Sequence, residues 1–241
     1  MDRGGAPPAA EISPIRWGIP DAAVAWVISL VAALFAQAPF LQHGKIPSGD
    51  KAIATFVGLV FQTAATVAVI VVVARSKGRG SPATDFGLKV RLFDGWYLAA
   101  GLALALLSTA LLWPIVELGH LNDTSQEVKR IFDRSTGVEL GLLVVGVVAI
   151  APVGEELLFR GVLLRGLQRR LSTVQAVFVS ALSFALVHVA LDPGAGFGVP
   201  ALMLLGLVSA WRAVQTGSLS QSIWLHAGFN LLVVLARIPG T

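Results

Sequence analysis

Three stretches of the sequence run for about the width of a bilayer without a charged side chain. Ala22 to Phe40, Ile53 to Ala74 and Trp96 to Val116 contain no Asp, Glu, Lys or Arg, and a helix needs about 20 predominantly apolar residues to cross the hydrocarbon core. Runs of this length leave few folds open. In lipid each backbone N–H and C=O must be satisfied within the structure, which a helix achieves and an open strand does not. The rest of the 241-residue chain agrees: 55% of it is hydrophobic and only 13% charged, about half the charged fraction of an ordinary soluble protein. A core of this size cannot hide so much apolar surface from water. The expected fold is all-α, a polytopic transmembrane helical bundle of about seven to eight spans, with the lipid bilayer as its first partner.

The remaining spans follow from the same criterion. Val138 to Ile150 is too short alone, but it continues without a turn signal through APVGEELLFRGVLLRGLQRR to Arg170, which predicts one long helix kinked at Pro152. Val174 to Leu191 and Pro200 to Val214 give two further spans around the loop DPGAGFGVP, and Ser222 to Ala236 a shorter last one. The connection from Leu118 to Gly137 carries mixed charges and suits an amphipathic helix. Residues 1–21 are expected to form a mobile N-terminal tail, 22–137 the N-terminal transmembrane helices and 138–241 a second helical group, within one integral membrane domain. The net charge of +4 is spread between apolar runs, as topology determinants are, so nucleic acid is set aside as a partner. Arg75, Lys77, Arg79, Lys89 and Arg91 cluster in the second connection. Retention of Lys and Arg on the inner side then places that connection in the cytoplasm of a multi-pass cell-membrane protein.

The exceptions to apolarity carry the chemistry. Glu155, Glu156, Arg160, His188, His226 and Asn230 all lie inside apolar segments, where an Asp, Lys or Arg near the helix centre costs about 2.5–3.5 kcal/mol to insert. Each must therefore face protein or water. Glu156 and Arg160 are four apart, share a helix face and can pair, whereas Glu155 lies about 100° round the helix and is freer to act on water or substrate. A turn near Ser172 makes the fourth and fifth spans an antiparallel hairpin. Equal steps back from that turn set His188 at the depth of Glu155 and Glu156. His226 and Asn230 project from one face of the last span. His43 and His120 fall in connections and are expected to be solvated residues without a role.

Several accounts fit this constellation. An ion-pair network can simply order helices, as in a non-catalytic membrane immunity or scaffold protein, and intramembrane Glu and His also relay protons in transporters, although paired inverted repeats are not evident. Alternatively, a carboxylate accepts a proton from water beside a histidine, and a second His with Asn donates to the oxyanion of a tetrahedral intermediate. That set hydrolyses an acyl bond without a thiol, and the chain has no cysteine. A zinc site is the rival chemistry, with Glu155, His188 and His226 as ligands. The His-Glu-x-x-His spacing is missing and a neutral amide is a poor zinc ligand, so the expectation is no cofactor, with zinc as the alternative.

At these residues the chain resembles the CAAX-processing and bacteriocin-processing (CPBP) intramembrane proteases, also called the Abi family and related to the Rce-type prenyl-protein endopeptidases. Three motifs carry the resemblance: EELLFR from Glu155 to Arg160, followed by Gly161; FALVH from Phe184 to His188; and HAGFN from His226 to Asn230. Together they cover roughly Val138 to Ala236. The resemblance implies an intramembrane endopeptidase in which Glu155 activates water with help from His188, His226 and Asn230 form the oxyanion hole, and Glu156 and Arg160 support the site. It implies a peptide or protein substrate at the membrane and a site reached from the cytoplasm. Eukaryotic relatives cleave prenylated proteins, whereas others are linked to bacteriocin maturation, immunity or membrane-protein processing. The Ala-, Val-, Gly- and Arg-rich composition suggests a bacterium of high genomic GC content, in which prenylated substrates are not expected.

Overall fold

A computed structural model describes residues 15–118, 126–191 and 198–236. The expected N-terminal tail up to residue 14, His120 and most of the DPGAGFGVP loop lie outside the described residues. Among those described, the chain is helical throughout, with one isolated bridge between Gln42 and Lys45. The elements are α1 (Ile19–Gln37), α2 (Lys51–Lys77), the short α3 (Pro82–Phe86), α4 (Tyr97–Leu118) and α5 (Gln126–Arg134), followed by α6 (Gly137–Leu167), α7 (Thr173–Leu191), α8 (Val199–Thr216) and α9 (Ser220–Leu235). Six of them, some extended by an adjoining turn, are long and apolar enough to cross a membrane, and α9 is a shorter apolar helix. This is a multi-pass membrane protein, and among the described residues its six spans and shorter last helix fall where the sequence places them. The amphipathic helix expected between the third and fourth spans is α5.

Apolar side chains point outward along the spans, as lipid solvation requires. Leu34, Phe35, Val72 and Leu111 are all more than half exposed, a pattern that water would penalise and hydrocarbon does not. With lipid as apolar as leucine, helices associate through close packing of small residues. The tightest crossing joins α4 and α9: a Cβ added at Gly101 would lie 1.9 Å from the carbonyl oxygen of Leu225, and one at Gly228 would lie 2.0 Å from that of Leu98. No side chain fits at either position, so the two backbones touch.

The hairpin between α6 and α7 turns where the sequence suggests. Ser172 caps α7 reciprocally: its Oγ accepts from the Gln175 backbone N–H, and the Gln175 side-chain oxygen accepts from the Ser172 backbone N–H. This is the capping-box arrangement. The basic connection after α2 folds back on the corner between α8 and α9, with the Leu219 N–H bonded to the Gly87 carbonyl and the indole N–H of Trp224 to the Arg91 carbonyl.

Helix α6 is continuous from Gly137 to Leu167, but it is not a regular α-helix. Wider π turns occupy Gly146–Ile150 and Leu157–Leu163, on either side of the segment Ala151–Glu156. The first lies immediately before Pro152, so the proline is accommodated by a change of hydrogen-bond register rather than a break in the helix. Neighbouring helices bond the carbonyls of this irregular stretch. Thr63 Oγ1 of α2 donates to the Ile150 carbonyl at 3.3 Å, Ser180 Oγ of α7 to that of Phe159 at 3.1 Å, and Asn230 Nδ2 of α9 to that of Val147 at 2.9 Å. In this way α6 is bonded to three neighbouring helices along the stretch that carries its two carboxylates.

Candidate active site

Glu155 and Glu156 follow one another on α6 but enter different surroundings. Glu156 is fully buried, as is Arg160 one turn on, and their side chains meet with Nη1 3.1 Å from Oε1. Arg160 also donates from Nη2 to the Gly206 carbonyl at 3.3 Å, and its guanidinium lies 4.4 Å from the centre of the Phe184 ring. Two charges in a dry interior are tolerable only when paired and further bonded. Here the pair has both an ionic partner and an aromatic face.

Glu156 has a second partner in His226, whose Nδ1 is 2.9 Å from Oε1. The ring is almost completely buried and stands edge-on to Phe184, centroids 5.5 Å apart. Since a carboxylate only accepts, Nδ1 carries the proton of this bond and Nε2 becomes the atom open to chemistry. That Nε2 is 3.6 Å from Oε2 of Glu155.

His188 arrives from α7 with its tautomer also set. Its Nδ1 is 2.8 Å from the Phe184 carbonyl, an acceptor, so Nδ1 donates and Nε2 faces the site. Nε2 is 3.8 Å from the same Glu155 Oε2. The geometry thus brings one carboxylate oxygen and two imidazole nitrogens together from α6, α7 and α9. Their separations exceed direct hydrogen-bond length and suit a shared water molecule. Glu155 Oε2 has no hydrogen-bond partner among the described residues.

Glu155 and His188 line a cleft of about 460 Å³, a volume that includes its open mouth. Its opposite wall comes from Trp26 and Ser29 of α1 and from Gln62, Thr63 and Thr66 of α2. These residues gave no signal in the sequence, because Ser, Thr and Gln are common in membrane helices. Phe184 belongs to a motif quoted for its histidine, but its ring proves to be the common neighbour of Arg160, His188 and His226. An aromatic residue four before a half-buried histidine was the available sign.

Of the six polar residues singled out in the sequence, five form this continuous cluster. Asn230 stands beside it on α9, and its amide nitrogen is bonded to the Val147 carbonyl. Among the described residues no three His, Asp or Glu side chains are grouped as metal ligands. Glu155 with His188 and His226 would be the residues to hold zinc, through Oε2 and the two Nε2 atoms, with each Nδ1 held by a carboxylate or carbonyl oxygen.

No curated protein and no solved structure matches the chain. A family model does match, and it covers the segment that holds all six of these residues. Over residues 137–232, about two-fifths of its length, the chain is similar to the type II CAAX prenyl endopeptidase Rce1-like family, a similarity that supports a protease kind of function.

Proposed function

We propose that this protein is an intramembrane endopeptidase that hydrolyses peptide bonds of a membrane-associated protein or peptide without a catalytic metal. The observation that carries the reading is the convergence of Glu155 Oε2 with Nε2 of His188 and Nε2 of His226, 3.8 and 3.6 Å away, at the wall of a cleft. A water molecule at this position can donate one proton to Glu155 Oε2 and the other to His188 Nε2, and is held there for attack. Glu155 takes a proton from that water, with His188 sharing the hydrogen bond, as the water oxygen attacks the scissile carbonyl carbon. The carbonyl π pair moves onto oxygen. His226 Nε2, when it carries a proton, donates to this oxyanion, with Glu156 on Nδ1 fixing the ring. Collapse of the tetrahedral intermediate breaks the C–N bond, and the proton held at Glu155 passes to the leaving amine.

Glu156 and Arg160 are too enclosed to touch a substrate and act by holding His226. Asn230 is committed on one side to Val147, and its part is taken up below. Retention of Lys and Arg in the cytoplasm places the α6–α7 turn on the inner side, and the cleft, lined by His188 and Leu191 at the far end of α7, then lies nearer the opposite face than the expected cytoplasmic one. The substrate is a membrane-tethered peptide presented to the wall of α1 and α2.

Purified protein in proteoliposomes, offered membrane-tethered peptides, tests the reading. Glu155→Gln and His188→Ala should each abolish cleavage while leaving thermal stability near that of the unaltered protein. Full cleavage by either variant would remove the assignment. Activity that is lost with a chelator and restored by zinc would instead establish the metal-dependent chemistry. Full biological activity of a Glu155→Gln protein that cleaves nothing would make it a scaffold or immunity factor.

A further inference from the structure

The link between Asn230 and Val147 has a cause in the backbone of α6. At the end of the π turn Gly146–Ile150 the Ala151 N–H bonds five residues back, to the Gly146 carbonyl. The next N–H in the series would come from residue 152 and bond to the Val147 carbonyl. Residue 152 is proline, which has none. The Val147 carbonyl is therefore left over, and Asn230 Nδ2, from another helix, donates to it at 2.9 Å.

We propose that Asn230 is a positioning residue. Its amide replaces the hydrogen bond that Pro152 cannot make, and so fixes the register of α6 at Glu155 and Glu156. The inference rests on the protease reading for its consequence but not for its geometry. A π turn adds one residue to a helical turn and rotates everything beyond it by about 100° relative to an α-helix. Glu155 lies five residues after Ile150, where that turn ends, so the direction in which its carboxylate points depends on the turn being kept. The same rotation decides whether Glu156 meets His226. Asn230 and His226 are one turn apart on α9, so a single helix both receives the carboxylate at His226 and anchors the turn that aims it. A direct oxyanion donor needs only the side-chain amide. A positioning residue needs, in addition, the proline that makes the amide necessary.

The test is a double-mutant cycle between Asn230→Ala and Pro152→Ala in the full-length protein. Residue 152 as alanine regains an N–H that can serve the Val147 carbonyl when Asn230 is gone. Three measurements are made on each variant: thermal unfolding in detergent, peptide cleavage in proteoliposomes, and the 15N ring shifts of His226 in histidine-labelled protein. Asn230→Ala alone should lower the melting temperature, as expected for a buried carbonyl left unpaired, slow cleavage, and shift the His226 ring signals. Adding Pro152→Ala should recover most of each. Additive losses of melting temperature would overturn the proposal, since the two residues would then be independent. Coupled melting temperatures with cleavage still lost would also overturn it and make Asn230 a direct participant in the reaction. If the unaltered protein cleaves nothing, the protease reading falls. The positioning claim would then stand or fall on recovery of the His226 signals in the double variant.

Discussion

Arg160→Met isolates the energetic role of the buried pair. The change keeps a long apolar stem against Phe184 and removes the guanidinium that sits 3.1 Å from Glu156. At an effective dielectric constant of about 20, Coulomb's law gives roughly 5 kcal/mol for unit charges at that separation. Removal of one partner from a buried pair costs about 3–5 kcal/mol in practice, because the remaining charge has lost both water and its counter-ion. The predicted loss is therefore about 3–5 kcal/mol, a change of roughly a hundred- to a few-thousand-fold in the folding equilibrium. Equilibrium unfolding in mixed micelles, followed by tryptophan fluorescence, reads this directly. The decisive comparison is Glu156→Gln/Arg160→Met, which removes the stranded carboxylate as well and should be more stable than Arg160→Met alone. If Arg160→Met costs less than about 1 kcal/mol, or if the double variant loses the sum of the two single changes, the pair is not the dry, mutually dependent unit described above.

Other outcomes follow from single contacts. Gly228→Ala, inside the HAGFN motif, should destabilise by at least the 1–3 kcal/mol typical of overpacking, because its methyl would fall 2.0 Å from the Leu98 carbonyl oxygen; unfolding of the purified variant measures it. The neighbouring Ala227→Gly places no atom at that crossing and should cost about 1 kcal/mol or less, which separates close approach from helix propensity. Ser172→Ala should lower stability by about 0.5–2 kcal/mol through loss of the α7 cap, without changing the cleavage rate at saturating peptide. Phe184→Leu should leave the protein folded but reduce cleavage, because His188 and His226 both lose the ring they rest against; a normal rate in a peptide-cleavage assay would show that the ring only fills space.

Much of this architecture is written in the sequence, for identifiable reasons. Span positions follow from charge-free lengths, and the α6–α7 hairpin from one turn near Ser172. Because both helices rise at the same rate, counting back from that turn brings His188 to the level of Glu155. The Glu156–Arg160 pair follows from four-residue spacing. What stays hidden is whatever depends on helices distant in the chain. The approach of His226 to Glu156 requires the rotation of α9 about its own axis, which spacing within α9 does not specify. The first π turn has no periodic signature, since it arises where Pro152 denies a bond and Gly146 allows α2 to press close, its absent Cβ lying 3.2 Å from the ring of Phe56. That irregularity also explains Asn230. Spacing places it on the same face as His226, but the Val147 carbonyl becomes a partner only once the register change has freed it. The cleft wall from α1 and α2 was equally silent, being built from Ser, Thr and Gln that read as ordinary membrane polarity.

The central claim is that Glu155 activates water for peptide hydrolysis. It is tested most directly by mass analysis of membrane-tethered peptides incubated in 18O-labelled water with proteoliposomes of the unaltered protein and of Glu155→Gln. The expected result is a new C-terminal carboxylate carrying one 18O atom with the unaltered protein, and uncut peptide with Glu155→Gln at equal folded concentration. Cleavage by the Glu155→Gln protein at the unaltered rate would contradict the claim.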